Sequence, residues 1–195
     1  MSPFERATEA LATRIRGLSL RAQVALFLSA SEVLAESWRE WSAAANRTVD
    51  LDTFDRGVAE AAAFASGDES ASQDVLAAVE ASTPSEPSDV RGFTAAQDCW
   101  ICLDTALRGA LGDFDPADSA WYLLEPLFQA VSERLFGFAD VGSDIQEEAE
   151  SSVLADPALT SAIAAVERGI VIAASASATE PRLGELRSAM AAIRP

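Results

Sequence analysis

The residues best equipped for chemistry are Cys99 and Cys102, the two cysteines of the chain, spaced C-x-x-C in the stretch "QDCWICLDTALRGALG" (Gln97–Gly112). A thiolate is a nucleophile, a redox partner and a soft metal ligand, so three chemistries are open to such a pair. A redox C-x-x-C places its first cysteine at a helix N-terminus just after a strand, where unpaired N–H groups stabilise the thiolate. Here nothing upstream alternates like a strand, and Cys99 lies about a turn inside a helix that Thr94 is expected to cap. Zinc needs four ligands, and the chain has no second cysteine pair and no histidine. Cysteines at i and i+3 share one helix face, which continues through Ala95, Ala96, Ala106 and Ala110, small residues suited to close helix packing. The pair therefore reads as core, with a thiol redox enzyme as the alternative.

That alternative has a family form. The alkylhydroperoxidase-D-like proteins are all-helical and carry a C-x-x-C with a histidine four residues past the second cysteine; here Ala106 stands at that position, so the proton carrier is missing. A second candidate lies in "SDIQEEAESSVL" (Ser143–Leu154), where Asp144, Glu147, Glu148 and Glu150 cluster just after Asp140. Glu147 and Glu150 stand at i and i+3, which resembles the magnesium-binding E-x-x-E of MazG-type nucleotide pyrophosphohydrolases. That family pairs it with a downstream E-x-x-D, which this chain lacks after Glu150. Di-iron bundles need E-x-x-H pairs, excluded with histidine. No metal or cofactor is expected, and Asp140, Asp144, Glu147, Glu148 and Glu150 are assigned instead to a partner-binding face.

Composition narrows the field further. The chain has 31 acidic residues against 14 basic ones, all arginine, for a net charge of −17. The absence of histidine rules out a Ser-His-Asp triad, a Cys-His pair and an imidazole base. A field of this sign repels nucleic acid and anionic membranes and favours a basic protein as partner. The imbalance is local: residues 1–48 hold six arginines and five acids, whereas 109–167 hold twelve acids and one arginine, Arg134. "MSPFERATEA" has no basic-then-apolar leader, and "GIVIAASASA" is too short and serine-broken for a span, so a cytoplasmic setting is expected.

The elements that would position these residues are helices. Alanine dominates the apolar residues while Val, Ile, Tyr and Thr are scarce, which predicts an all-α protein without a sheet. Ser2-Pro3-Phe4-Glu5 signals a capped first helix ending near Gly17. Ser19 opens a long second helix whose stripe is Leu20, Val24, Phe27, Ser31, Leu34, Trp38, Trp41 and Ala45. Asp50 or Asp52 starts a third to Gly67, and Ser72 a short fourth. A Pro/Ser-rich surface loop follows over 82–93. After the cysteine helix, Asp115-Pro116 opens a helix with the stripe Trp121, Leu124, Phe128, Val131 and Leu135, kinked near Tyr122 by Pro126. Ser143 with Gln146 forms a capping box for the acidic helix, Asp156-Pro157 opens another, and Pro181 begins the last. About nine helical segments with short joints make one compact bundle, a single domain over 1–195.

In layout, "LRAQVALFLSASEVLAESWREW", "STPSEP", "GFTAAQDCWICLDTALRG" and "LADPALTSAI" resemble the YjaG-like family of uncharacterised bacterial helical proteins. The resemblance implies an all-α cytosolic fold and no activity or site residue. Missing chemistry beside a large one-signed field points to a non-catalytic binding protein, of the kind that inhibits a basic toxin or nuclease domain as an immunity protein does. Homo-oligomerisation is left open.

Overall fold

Helix starts follow from local capping. In α1 (Pro3–Arg16) the Ser2 hydroxyl accepts the Glu5 N–H at 3.2 Å and the Glu5 carboxylate accepts the Ser2 N–H at 2.6 Å, closing the capping box. Ser19 caps α2 (Leu20–Ala44), and Asp50 caps α3 (Leu51–Ser66), which ends at Gly67 with φ of 109°. α4 spans Gln73–Ser82. The chain continues through α5 (Phe93–Leu111), a 3-10 helix (Pro116–Leu123) and α6 (Glu125–Phe136). α7 (Ser143–Leu154), α8 (Pro157–Ser175), α9 (Leu183–Met190) and a final 3-10 turn (Ala191–Ile193) complete it. This computed structural model describes all residues except 49, 69–70, 86–91, 138–142 and 176–181, and not the side chains of 143–146. Among the described residues there are nine α-helices and no strand, the all-α bundle expected from composition.

Three expectations are corrected. α5 starts at Phe93 rather than behind a Thr94 cap, because Gly92 turns the chain with φ of 91° and the Phe93 ring docks on Trp41 at 5.7 Å. The kinked helix expected after Asp115 is two elements. The Pro126 ring excludes a helical carbonyl at Tyr122, so the chain breaks at Leu124 and Pro126 becomes part of the first turn of α6. Its stripe is broken accordingly: Leu124 and Val131 are buried, whereas Trp121 and Leu135 are exposed. Leu20, at the head of the α2 stripe, is exposed as well. The expected capping box of Ser143 and Gln146, and Pro181 at the head of α9, lie outside the described residues and side chains.

The bundle is organised on α2 and α5, which run antiparallel. Val24 lies beside Gly109, Ser31 beside Cys99, Trp38 beside Trp100 and Trp41 beside Phe93. α2 is buried continuously from Gln23 to Ser31, and α5 on nearly every side. α3 and α4 cover one flank, where Gly57 lets Leu103 and Val79 approach, and Trp38, Phe54 and Trp100 meet with ring centroids 5.0–5.6 Å apart. α8 and α9 cover another, with Leu26 and Met190 against Gly169. α1 and the 3-10 helix close an end through Phe4, whose ring is 4.4 Å from Trp121 and 4.0 Å from Phe128. By length and composition α8 is apolar enough to cross a membrane, but Leu159, Ala162, Val166, Ile170 and Ala173 are buried in the bundle, so it packs on the core by one face.

The tightest helix approach gives a test. A Cβ on Gly109 would stand 2.6 Å from Pro116 Cγ and 3.2 Å from Val24 Cγ2. Gly109→Ala should therefore destabilise the fold by about 1–3 kcal/mol despite the better helix propensity of alanine, read as a lower urea midpoint with unchanged m-value.

Candidate functional site

The cysteines sit at the centre of the α2–α5 contact. Both are 0% exposed, and Ala95, Ala96, Ala106 and Ala110 on the same helix are buried with them. The Cys99 thiol donates to the Ser31 carbonyl at 3.3 Å, and its Sγ is 3.9 Å from the Ser31 hydroxyl. Burial pushes the Cys99 thiol up to about 12 and that of Cys102 well above its ordinary value, so both are held as neutral thiols. This is the opposite of the electropositive, open setting a thiolate nucleophile requires.

Beside them the sequence reading missed a buried carboxyl. Asp98 is 1% exposed, and its Oδ2 has no hydrogen-bond partner. Desolvation, then the nearby Glu125 carboxyl, raise it well above the usual carboxylate range. Burial raises Glu125 too, and Tyr122 is raised by burial and then by Glu125, Asp98 and Cys102. A helix-periodicity argument held the signal: Asp98 is three residues after Ala95 and four before Cys102, on the face already assigned to the core.

The acidic candidates are separated by the fold. Asp140 lies outside the described residues, as does the side chain of Asp144. Glu147 is 3.8 Å from the Arg6 guanidinium. The Glu150 carboxylate accepts the Phe4 N–H at 3.2 Å, satisfying an orphan donor in the first turn of α1. Both members of the E-x-x-E thus face α1. Glu148 is exposed, without a partner for its carboxylate among the described residues. No group of three or more metal-ligating side chains occurs among the described residues.

α1 runs as a basic strap along the acidic half. Arg14 binds Glu167 at 2.6 Å, and Arg16 reaches Asp118 at 2.8 Å and Asp115 at 3.5 Å. Between α1 and the 3-10 helix opens a groove of about 550 Å³, floored by Ala12, Ala117 and Ala120 and walled by Glu5, Glu9, Arg16, Asp118 and Trp121. No reading of the sequence pointed there, because the groove joins segments a hundred residues apart. Compared with protein-family models, with curated proteins and with solved structures, the chain shows no match.

Two outcomes follow. Native Cys99 and Cys102 should resist alkylation at neutral pH and react only on unfolding, and replacing both by alanine should cost on the order of 1–2 kcal/mol of stability; rapid labelling of the native protein would show the core is open. Because the Asp98 pKa is raised on folding, its contribution is fully present below the ordinary carboxyl range and is lost as pH rises through the folded value. Asp98→Asn should flatten the fall in melting temperature between pH 4 and pH 8, measured by thermal unfolding at each pH.

Proposed function

We propose that this chain is a non-catalytic binding protein whose acidic surface engages a basic protein, an immunity-type inhibitor of a basic toxin or nuclease domain being the form that best suits it. The observation that carries this reading is the excess of twelve acids over one arginine in 109–167, which the arginines of α1 answer only in part. Glu148 and the exposed rims of Glu147 and Asp118 present the remainder to solvent. An acidic face of this kind accelerates encounter with a basic partner and disfavours acidic competitors. A cytoplasmic setting, where thiols stay reduced, suits the two free cysteines. The resemblance to the YjaG-like family lends this reading neither an activity nor a residue.

The other readings have no observation in their favour. A thiol enzyme would need Cys99 and Cys102 within reach of substrate, and a phosphohydrolase would need Glu147 and Glu150 free of α1. Binding at the acidic surface asks for neither.

Glu148 supplies the cleaner test, because Glu150 also supports the start of α1. Glu148→Lys combined with Glu147→Lys should slow association with a basic nuclease domain by about threefold to tenfold at low salt, through the on-rate, with the difference shrinking as salt rises. Stopped-flow association, with melting temperatures recorded alongside, measures it; unchanged rates at low salt in a folded variant would leave the surface merely solvated.

A further inference from the structure

We propose that the groove between α1 and the 3-10 helix receives an arginine side chain of the basic partner, stacked on Trp121 and paired with Glu9. The inference rests on the binding reading above and assigns it a place and a chemistry.

Space comes first. Ala12, Ala117 and Ala120 are 5%, 0% and 2% exposed, so the floor is closed and built of side chains too short to fill the groove above it. The volume of about 550 Å³ is in the range of ordinary ligand clefts.

The aromatic wall is the second observation. Of the four tryptophans, Trp38, Trp41 and Trp100 are at most 5% exposed, whereas Trp121 is 36% exposed. Its indole is not loose: the Phe4 ring holds it at 4.4 Å with an interplanar angle of 80°. A fixed, half-open indole beside carboxylates suits a cation, which the ring attracts through its quadrupole.

The carboxylates are not equivalent. Glu5 is engaged by the Ser2 N–H at 2.6 Å and stands 3.7 Å from the Met1 ammonium. Asp118 is held by Arg16, which also answers Asp115. Glu9 is exposed and has no hydrogen bond or ion pair among the described residues; its charge acts on Arg16 through space. The groove therefore offers one carboxylate without a partner among the described residues and one partly exposed indole, whose N–H is engaged by Glu125. A single guanidinium satisfies both, since it is planar, stacks on indole and donates in a fork to carboxylate. The ammonium of lysine, a compact and strongly hydrated charge, uses the ring less well.

The probe is a fluorescently labelled peptide of eight arginines, titrated into the full chain at low salt and followed by anisotropy and by tryptophan emission. Glu9→Gln and Trp121→Leu should each weaken binding by about fivefold or more. The peptide-induced change in emission should vanish in Trp121→Leu, because the other three indoles are sealed. Glu148→Lys, outside the groove, should weaken binding less. An eight-lysine peptide should bind more weakly than the arginine peptide at equal salt. If Glu9→Gln binds like the unaltered chain while Glu148→Lys is weakened, the groove proposal falls and the diffuse acidic surface stands. Absence of any arginine-peptide binding at low salt overturns both. Trp121→Leu could loosen the packing on Phe4, so Glu9→Gln, at an exposed position, decides the matter by itself. Equal binding of the lysine peptide overturns the arginine assignment.

Discussion

Everything else in this fold depends on how closely α2 and α5 approach. Their contact joins Gly109 to Val24, Cys99 to Ser31 and the Trp100 ring to the Trp38 ring, on an α5 whose Ala95, Ala96, Cys102 and Ala106 are buried as well. Small side chains on α5 let the backbones come together, and Cys99 and Cys102 are sealed from solvent as a result. The flanking helices repeat the device. Gly57 admits Leu103 and Val79, and Gly169 admits Leu26 and Met190, so the flanking layers approach the central pair closely at these points. The same closeness that stabilises the bundle silences the thiols, since desolvation keeps them protonated. The arrangement has a chemical cost: among the described residues Asp98 Oδ2, Asp104 Oδ1, Gln23 Oε1 and the indole N–H groups of Trp41 and Trp100 are sealed in without a hydrogen-bond partner.

Charge is organised on a second scale. Along the chain the acids and arginines are segregated, but folding lays α1 against α7, α8 and the 3-10 helix, so Arg6, Arg14 and Arg16 meet Glu147, Glu167 and Asp118. At the other end, Arg187 pairs with Glu32 and Arg194 with Glu36, bringing the C-terminal helix onto α2. Exposed pairs of this kind contribute little energy each. Their effect is on the surface field: they discharge parts of it and leave others, Glu9 and Glu148 among them, without a partner among the described residues. The acidic surface of this protein is therefore defined as much by which acids the arginines miss as by where acids are dense.

Reading capping and periodicity was enough for most helix boundaries. Ser2 with Glu5, Ser19 and Asp50 are read by their own backbone neighbours within one turn, so the signal is complete in four residues. The failures occur where a distant group competes. Thr94 is a good cap by type, yet Gly92 and the docking of Phe93 on Trp41 move the start of α5 upstream. Pro126 by type predicts a kink, but Leu123 and Leu124 are both fully buried, and a break at Leu124 seats both where a continuous helix would turn them to different faces.

The candidate site divides along the same line. By itself the sequence determined the all-α class, the core role of the C-x-x-C face, the exclusion of histidine chemistry and the acidic field, because composition and a 3.6-residue period are properties of contiguous residues. Only the tertiary structure decided which carboxylates are spent and which are free, that Asp98 is sealed beside Glu125, and that Trp121 stands half-open over a groove. Those facts depend on the approach of α1 to residues 115–121 and of α5 to α6, and a linear pattern holds no record of which side chains meet across a hundred residues.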